Sequence, residues 1–137
     1  MIDITGLAHV GVRVAEFDRS VRFYEHMGFS VVRDDQQEHV VVLVHPSGVV
    51  VNLLDSASDD NGYHNVLMDQ EAKHPGYTHI ALSVVDIHLT EQALRANGVV
   101  ITEGPVTFGD GSTSVFFRDP DSNVIELTEV DSGRRVS

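Results

Sequence analysis

Cysteine and tryptophan are both absent from this sequence, and only nine of its residues are lysine or arginine. Without cysteine the chain can form no disulfide and offers no thiolate, so any metal must bind imidazole, carboxylate or amide groups. The 21 acidic residues give a formal net charge of −12, which repels phosphate backbones and anionic membrane surfaces. No apolar run approaches the roughly 20 residues that a membrane span needs. We therefore expect binding to neither nucleic acid nor membranes.

The length of the chain, 137 residues, is typical of one domain, and its 42% hydrophobic residues allow a core. The first residues include Asp3 and no basic cluster, which is not the pattern of a secretory signal peptide. We expect a single domain spanning residues 1–137 and a cytoplasmic location.

An internal repeat organises the sequence. Three pairs of segments match in register: His9–Val14 with His79–Val84, Met27–Phe29 with Asn97–Val99, and His45–Asn52 with Asp119–Glu126. The first two pairs are offset by 70 residues and the last by 74, as expected if the second copy contains a slightly longer hairpin. Three matches in the same order, with offsets that differ by four residues, indicate a duplicated module.

Each module has the pattern of a βαβββ unit, so the predicted class is α+β with two tandem modules. We place the modules at about residues 5–56 and 77–130, joined by a linker at about 57–76. In the first module, strands are predicted at 7–14, 29–33, 39–44 and 49–54, with a helix at 17–27. In the second, strands are predicted at 78–84, 99–102, 113–118 and 124–129, with a helix at 87–96. Asp18 is the predicted N-cap of the first helix, while Gly28 and Gly98 should end the two helices.

Four polar residues share the predicted sheet face that points away from the helices, because side chains alternate between faces along a strand. They are His9, Asn52, His79 and Glu126. Two imidazoles and a carboxylate converging away from water are costly unless a cation neutralises them. We therefore predict one divalent metal ion (Fe, Mn, Ni, Co or Zn), held by His9, His79 and Glu126, with Asn52 as a further candidate ligand. The alternative is that each is an ordinary hydrogen-bonded or exposed strand residue.

Five motifs lie between Leu7 and Glu129: His9-x-x-x-Arg13-Val14, Asp18-Arg-Ser-Val-Arg-Phe23-Tyr24, Gly28-Phe29, Gly76-Tyr-Thr-His79-Ile-Ala-Leu-Ser-Val84 and Asp119-Pro-Asp-Ser-Asn-Val-Ile-Glu126-Leu127. Together with the duplicated module they resemble the vicinal-oxygen-chelate superfamily. That superfamily includes glyoxalase I, extradiol dioxygenases, methylmalonyl-CoA epimerase and antibiotic-resistance proteins. The resemblance implies concave sheets that enclose a metal site, but fold and reaction are only loosely coupled.

Single-domain glyoxalase I is similar in several details. The similarity implies a metal-dependent lyase or isomerase whose small substrate chelates the metal through vicinal oxygens, with Glu126 as the catalytic residue. Arg13 occupies the place where glyoxalase I holds the glutathione carboxylate, and we expect Arg13, Asn52 and Tyr77 to bind substrate. One departure matters, because Asn52 stands where glyoxalase I has its other metal-binding glutamate. A neutral amide can coordinate but cannot act as a base.

Two other functions stay open at this point. Two histidines and one glutamate also suit an Fe(II)-dependent extradiol-type dioxygenase, for which Tyr77 and His64 are candidate acid–base groups. Antibiotic-resistance proteins of the bleomycin or fosfomycin type share the fold, and the bleomycin type binds its drug without a metal. Finally, unpaired strand edges on each module favour a symmetric homodimer.

Overall fold

The computed structural model describes residues 1–58 and 64–130. The chain divides into two compact units, Met1–Asn61 and Gly62–Ser137, and each contains one of the predicted modules. Residues 59–63 of the predicted linker and the C-terminal residues 131–137 lie outside the described residues. The prediction of a single domain over 1–137 stays a prediction.

The first unit forms a four-stranded sheet with one helix. Its elements are β1 (Val10–Arg13), α1 (Phe17–His26), β2 (Ser30–Asp35), β3 (Val40–Val44) and β4 (Val50–Leu54). The strand order is β1-β4-β3-β2. The first and last strands pair in parallel, whereas β2–β3 and β3–β4 are antiparallel.

The second unit repeats this arrangement. Its elements are β5 (His79–Ser83), α2 (Ile87–Ala96), β6 (Ile101–Thr107), β7 (Thr113–Arg118) and β8 (Val124–Glu129). The order is β5-β8-β7-β6, again with a parallel pair between the first and last strands. The predicted α+β class with two tandem βαβββ modules is therefore confirmed.

Both helices end at the predicted glycines. Gly28 and Gly98 adopt φ values of +98° and +75° just past the two helices, the conformation in which glycine ends a helix without strain. Asp86 caps α2 by accepting hydrogen bonds from the backbone N–H groups of His88 and Leu89.

The predicted N-cap Asp18 is wrong. The extended backbone that precedes α1 belongs to Glu16, which occupies the N-cap without a side-chain hydrogen bond. Asp18 lies instead in the first helical turn, where its negative charge interacts favourably with the positive end of the helix dipole.

Two strands differ most from their predicted bounds because pairing, and not hydrophobic pattern, sets strand ends. β1 begins at Val10 and not at residue 7, since its ladder with β4 starts at the Val10–Val51 pair. β6 begins at Ile101 and continues to Thr107, because its hairpin with β7 stays paired as far as Thr107–Thr113.

The core of each unit lies between its sheet and its helix. α1 contacts β2 and β4, and α2 contacts β6, β7 and β8. The side chains on the helix-facing side of the strands are buried: Val41, Leu43, Val51 and Leu53 in the first unit, and Val115, Phe117, Ile125 and Leu127 in the second. This confirms the predicted alternation and places the polar residues of the same strands on the opposite face. No helix within the described ranges is long and apolar enough to cross a membrane.

The middle of the linker is tied to the β7–β8 hairpin. Asn65 Nδ2 donates a hydrogen bond of 3.0 Å to the Ser122 carbonyl. Arg118, the last residue of β7, contacts both carboxylate oxygens of Asp69, with Nη2–Oδ1 at 2.8 Å. The hydrogen bond from Arg118, together with one from the Asn65 N–H, holds the pKa of Asp69 well below its usual value. Residues 65–69, the linker turn, therefore dock on the second module.

Replacing Asp69 by Asn should destabilise the protein in a pH-dependent way. Because the folded-state pKa of Asp69 is depressed, the ion pair stabilises the protein above the ordinary pKa of 3.8 and loses this effect as the pH falls below it. We expect Asp69→Asn to lower the free energy of unfolding by about 1 kcal/mol at neutral pH. The deficit should shrink at a pH of about 3, as measured by urea unfolding. Glu71→Gln is the matched control, and a deficit that is equal at both pH values contradicts the prediction.

Candidate metal and substrate site

The candidate site of the second unit lies on the sheet face opposite α2, which we call the site face. The register of β5, β8 and β7 defines three rows of side chains on it. The rows are His79, Val124 and Arg118; Ala81, Glu126 and Phe116; and Ser83, Thr128 and Ser114. Glu126 occupies the centre of this grid.

Both carboxylate oxygens of Glu126 have partners. Oε1 lies 2.9 Å from Nε2 of His79, and Oε2 accepts a 2.7 Å hydrogen bond from the hydroxyl of Ser114. The Glu126 side chain is 14% exposed and that of His79 is 35% exposed. The parallel β5–β8 pair thus brings together two of the predicted metal ligands, with one edge open to a ligand.

The His79 ring is held on two further sides. Thr78 Oγ1 lies 2.9 Å from Nδ1, and the ring packs edge-on against Phe116 with centroids 5.9 Å apart. A histidine that binds a metal through one ring nitrogen usually donates the other N–H to an oxygen acceptor, which fixes the ring. Thr78 can serve as that acceptor when Nε2 gives up its proton.

His79 and Glu126 fit two adjacent positions around one divalent ion. Ligand atoms about 2.1 Å from a metal and at right angles to each other lie about 3 Å apart, and Nε2 and Oε1 are 2.9 Å apart. Within residues 1–58 and 64–130, however, no three His, Cys, Asp or Glu side chains come together as a metal cluster. The three-residue ligand set therefore stays a prediction.

The first unit carries the equivalent positions with different chemistry. Asn52 pairs with Gly11 of β1 and Val42 of β3, as Glu126 pairs with Ala81 and Phe116. The Asn52 side-chain oxygen is buried and has no hydrogen-bond partner in the part of the chain that the structure describes. A buried unpaired carbonyl costs about 1–3 kcal/mol, so this oxygen is suited to a ligand. His9 is exposed and directly precedes β1.

The chain matches the Glyoxalase/Bleomycin resistance protein/Dioxygenase superfamily over residues 6–127. It belongs to this superfamily. The match covers both modules and includes His9, Asn52, His79 and Glu126. The family that the sequence motifs resemble is thereby confirmed.

Relatives and solved structures agree with this membership. A "Probable lactoylglutathione lyase" from Vibrio cholerae is 31% identical over 132 residues, covering 90% of this chain and 89% of the relative. The lactoylglutathione lyase of Haemophilus influenzae is 31% identical over 130 residues, covering 90% and 91%. They confirm the expectation of an enzyme of the glyoxalase superfamily. A glyoxalase/dioxygenase structure from Nostoc punctiforme has a TM-score of 0.68 at 21% identity, covering 93% of this chain and 92% of that one, which supports the fold alone.

The predicted substrate-binding residues lie in different surroundings. Arg13, on the same face as Gly11, donates from Nε to the Ser56 hydroxyl at 3.1 Å. Tyr77 precedes β5 and is fully exposed, and His64 is exposed as well. The substrate-binding roles of Arg13, Asn52 and Tyr77 stay predictions.

Sequence reasoning missed three members of the site face. Ser114, Phe116 and Arg118 contact Glu126, His79 and the linker turn, respectively. A signal was available, since residues of a strand that are two apart share a face and the turn at residues 119–123 fixes which of them lie opposite Glu126.

Proposed function

We propose that this protein is a divalent-metal-dependent lyase or isomerase of the glyoxalase I type, acting on a small substrate that presents two vicinal oxygens. The observation that carries the proposal is the contact between His79 Nε2 and Glu126 Oε1 at 2.9 Å. A nitrogen and an oxygen donor side by side on one sheet face suit a transition-metal ion. The lactoylglutathione lyases among the relatives support the reaction class.

The proposed ligands are His9, His79 and Glu126, and the unpaired oxygen of Asn52 is a fourth candidate. None of them is a thiolate, so the donor set suits Fe, Mn, Ni, Co or Zn without selecting one. When bound, such an ion would supply Lewis-acid stabilisation of the negative charge that develops on the substrate oxygens.

Proton transfer falls to Glu126, since it is the single carboxylate in the proposed set. In an isomerisation between adjacent carbons, a Glu126 oxygen that detaches from the ion would accept a proton from one carbon and return it to the next. Asn52 holds a substrate or metal in place but accepts no proton. Phe116 presents an apolar ring beside His79 and limits water at the reacting atoms. Arg13 provides a guanidinium for a substrate carboxylate.

The neutral Asn52 favours a second candidate function, an Fe(II)-dependent extradiol-type dioxygenase. Two histidines and one carboxylate with open positions are typical of Fe(II) oxygenases. A metal-free resistance protein of the bleomycin type is less well supported, because drug binding alone gives no reason for the His79–Glu126 pair.

We expect about one divalent ion per complete site, lost when His79 or Glu126 is replaced by alanine. Folding should survive both changes because the core lies on the helix-facing side of the sheets. In the wild-type protein, metal should raise the melting temperature by mass action. The measurement is metal analysis of untagged protein with titration of the chelator-treated form. His26→Ala, at the end of α1, is a matched control. No uptake of Mn, Fe, Co, Ni or Zn by the wild-type protein contradicts the proposal.

Asn52→Glu separates the two enzymatic candidates. In a glyoxalase-like isomerase, the new carboxylate adds a second base beside the metal and should raise activity on the hemithioacetal of methylglyoxal and glutathione. In a dioxygenase, it should lower activity by filling an open coordination position. Asn52→Gln is the control, since it has the same length without the charge. If neither activity responds, both candidates lose their support.

We also propose a symmetric homodimer, because each four-stranded sheet ends in two edge strands within its own unit and such edges favour association. Sedimentation equilibrium at micromolar concentration should give twice the chain mass of 15.0 kDa. A species of single-chain mass refutes the dimer.

Mixing His9→Ala chains with Glu126→Ala chains tests whether the metal ligands are shared between chains. Regained metal binding indicates a site shared between chains, and no recovery indicates a site within one chain.

A further inference from the structure

Ser114 holds Glu126 through a hydrogen bond from a fully buried hydroxyl group. Its side chain is completely buried, and its Oγ donates to Glu126 Oε2 at 2.7 Å. We propose that Ser114 is a positioning residue that occupies Oε2, so that Glu126 offers a metal ion a single oxygen, Oε1, beside His79 Nε2. This inference rests on the proposed function of the site.

The backbone beneath Ser114 is held from both sides, which makes the hydroxyl a fixed donor. Ser114 pairs with Thr128 of β8 and with Val106 of β6. β6 approaches so closely that a Cβ added at Gly104 would lie 2.5 Å from the Ser114 carbonyl oxygen. A donor on a central strand, packed between two neighbours, keeps its position better than one on a loop.

The hydrogen bond also explains how a carboxylate is tolerated at 14% exposure. An O–H donor to an ionised carboxylate forms a short hydrogen bond that is stronger than a neutral one. The partner oxygen is then already satisfied before any ion arrives. Oε1, in contact with Nε2 of the 35% exposed His79 side chain, is the oxygen that remains for an ion.

Comparison of the two modules shows that this hydroxyl donor is not a general feature of the fold. In the first unit, Asn52 stands where Glu126 stands in the second, and the residue equivalent to Ser114 is Val40, two places before the cross-strand partner Val42. There the central residue is a neutral amide whose oxygen has no hydrogen-bond partner among residues 1–58 and 64–130. The second module therefore has both the carboxylate and the hydroxyl of Ser114. The first module has neither, since the aliphatic Val40 stands at the position of Ser114.

A carboxylate that offers one oxygen favours some metal ions over others. Large Ca²⁺ ions are commonly bound by bidentate carboxylates and six to eight oxygens, whereas smaller transition-metal ions accept one carboxylate oxygen together with imidazole. By occupying Oε2, Ser114 disfavours the bidentate mode. It therefore acts as a specificity determinant against Ca²⁺ as well as a support for Glu126.

The test is titration of chelator-treated protein with Co²⁺ and separately with Ca²⁺, by calorimetry and by the visible absorption of bound Co²⁺. Ser114→Ala should weaken Co²⁺ binding by about 10- to 100-fold, as loss of such a supporting hydrogen bond typically does. It should also change the Co²⁺ absorption spectrum and narrow the preference for Co²⁺ over Ca²⁺. Ser114→Thr keeps a hydroxyl and should retain the wild-type spectrum. Thr128→Val removes a hydroxyl from the directly paired position and should leave both readouts unchanged.

The outcomes separate this inference from the proposed function. If the wild-type protein binds Co²⁺ through His79 and Glu126, but Ser114→Ala matches it in affinity and spectrum, the role of Ser114 is overturned and the metal site stands. If Ser114→Ala and Thr128→Val weaken binding equally, the effect is structural and the role is again overturned. If the wild-type protein binds no Co²⁺, the proposed function and the role of Ser114 fall together.

Discussion

The parallel pairing of the first and last strands of each module decides which side chains meet. In a βαβββ unit these strands are far apart in sequence and adjacent in space, so β5 and β8 bring His79 next to Glu126. Because side chains alternate along strands, the same pairing sends the aliphatic residues towards the helix and the polar ones to the other face. A slip of one residue would exchange the two sets. The core and the candidate site therefore depend on one register.

The two modules share this backbone arrangement but differ in the charge at its centre. In the second module, a carboxylate is satisfied by an imidazole and a hydroxyl. In the first, an amide oxygen at the equivalent position is buried and unpaired. Buried polar groups are usually hydrogen-bonded in folded proteins, and exceptions call for an explanation. A ligand that approaches Asn52 would satisfy its oxygen, which makes the unpaired group part of the proposed chemistry.

The second module also binds the linker turn through a residue of the site face. Arg118 lies in the same row as His79 and holds the carboxylate of Asp69. Its guanidinium is thereby committed to the linker turn at one end of the grid, while Ser114 supports Glu126 from the other. The superfamily includes several reactions, because related folds support unrelated chemistry. Local differences of this kind therefore determine which reaction a member catalyses.

Several features could be predicted from the sequence: the duplicated modules, the glycines that end both helices, the inward and outward faces of the strands, and the superfamily. These features follow from local patterns: two-residue alternation, repeat offset and the conformational freedom of Gly28 and Gly98. The position of the α1 N-cap, at Glu16 and not at Asp18, is set by the extended backbone of Glu16. The pairing of strand ends and the Ser114–Glu126 hydrogen bond required the tertiary structure, because they depend on which groups from distant strands come within about 3 Å of each other. A local pattern cannot specify such distances, because they are set by the register and packing of the whole sheet.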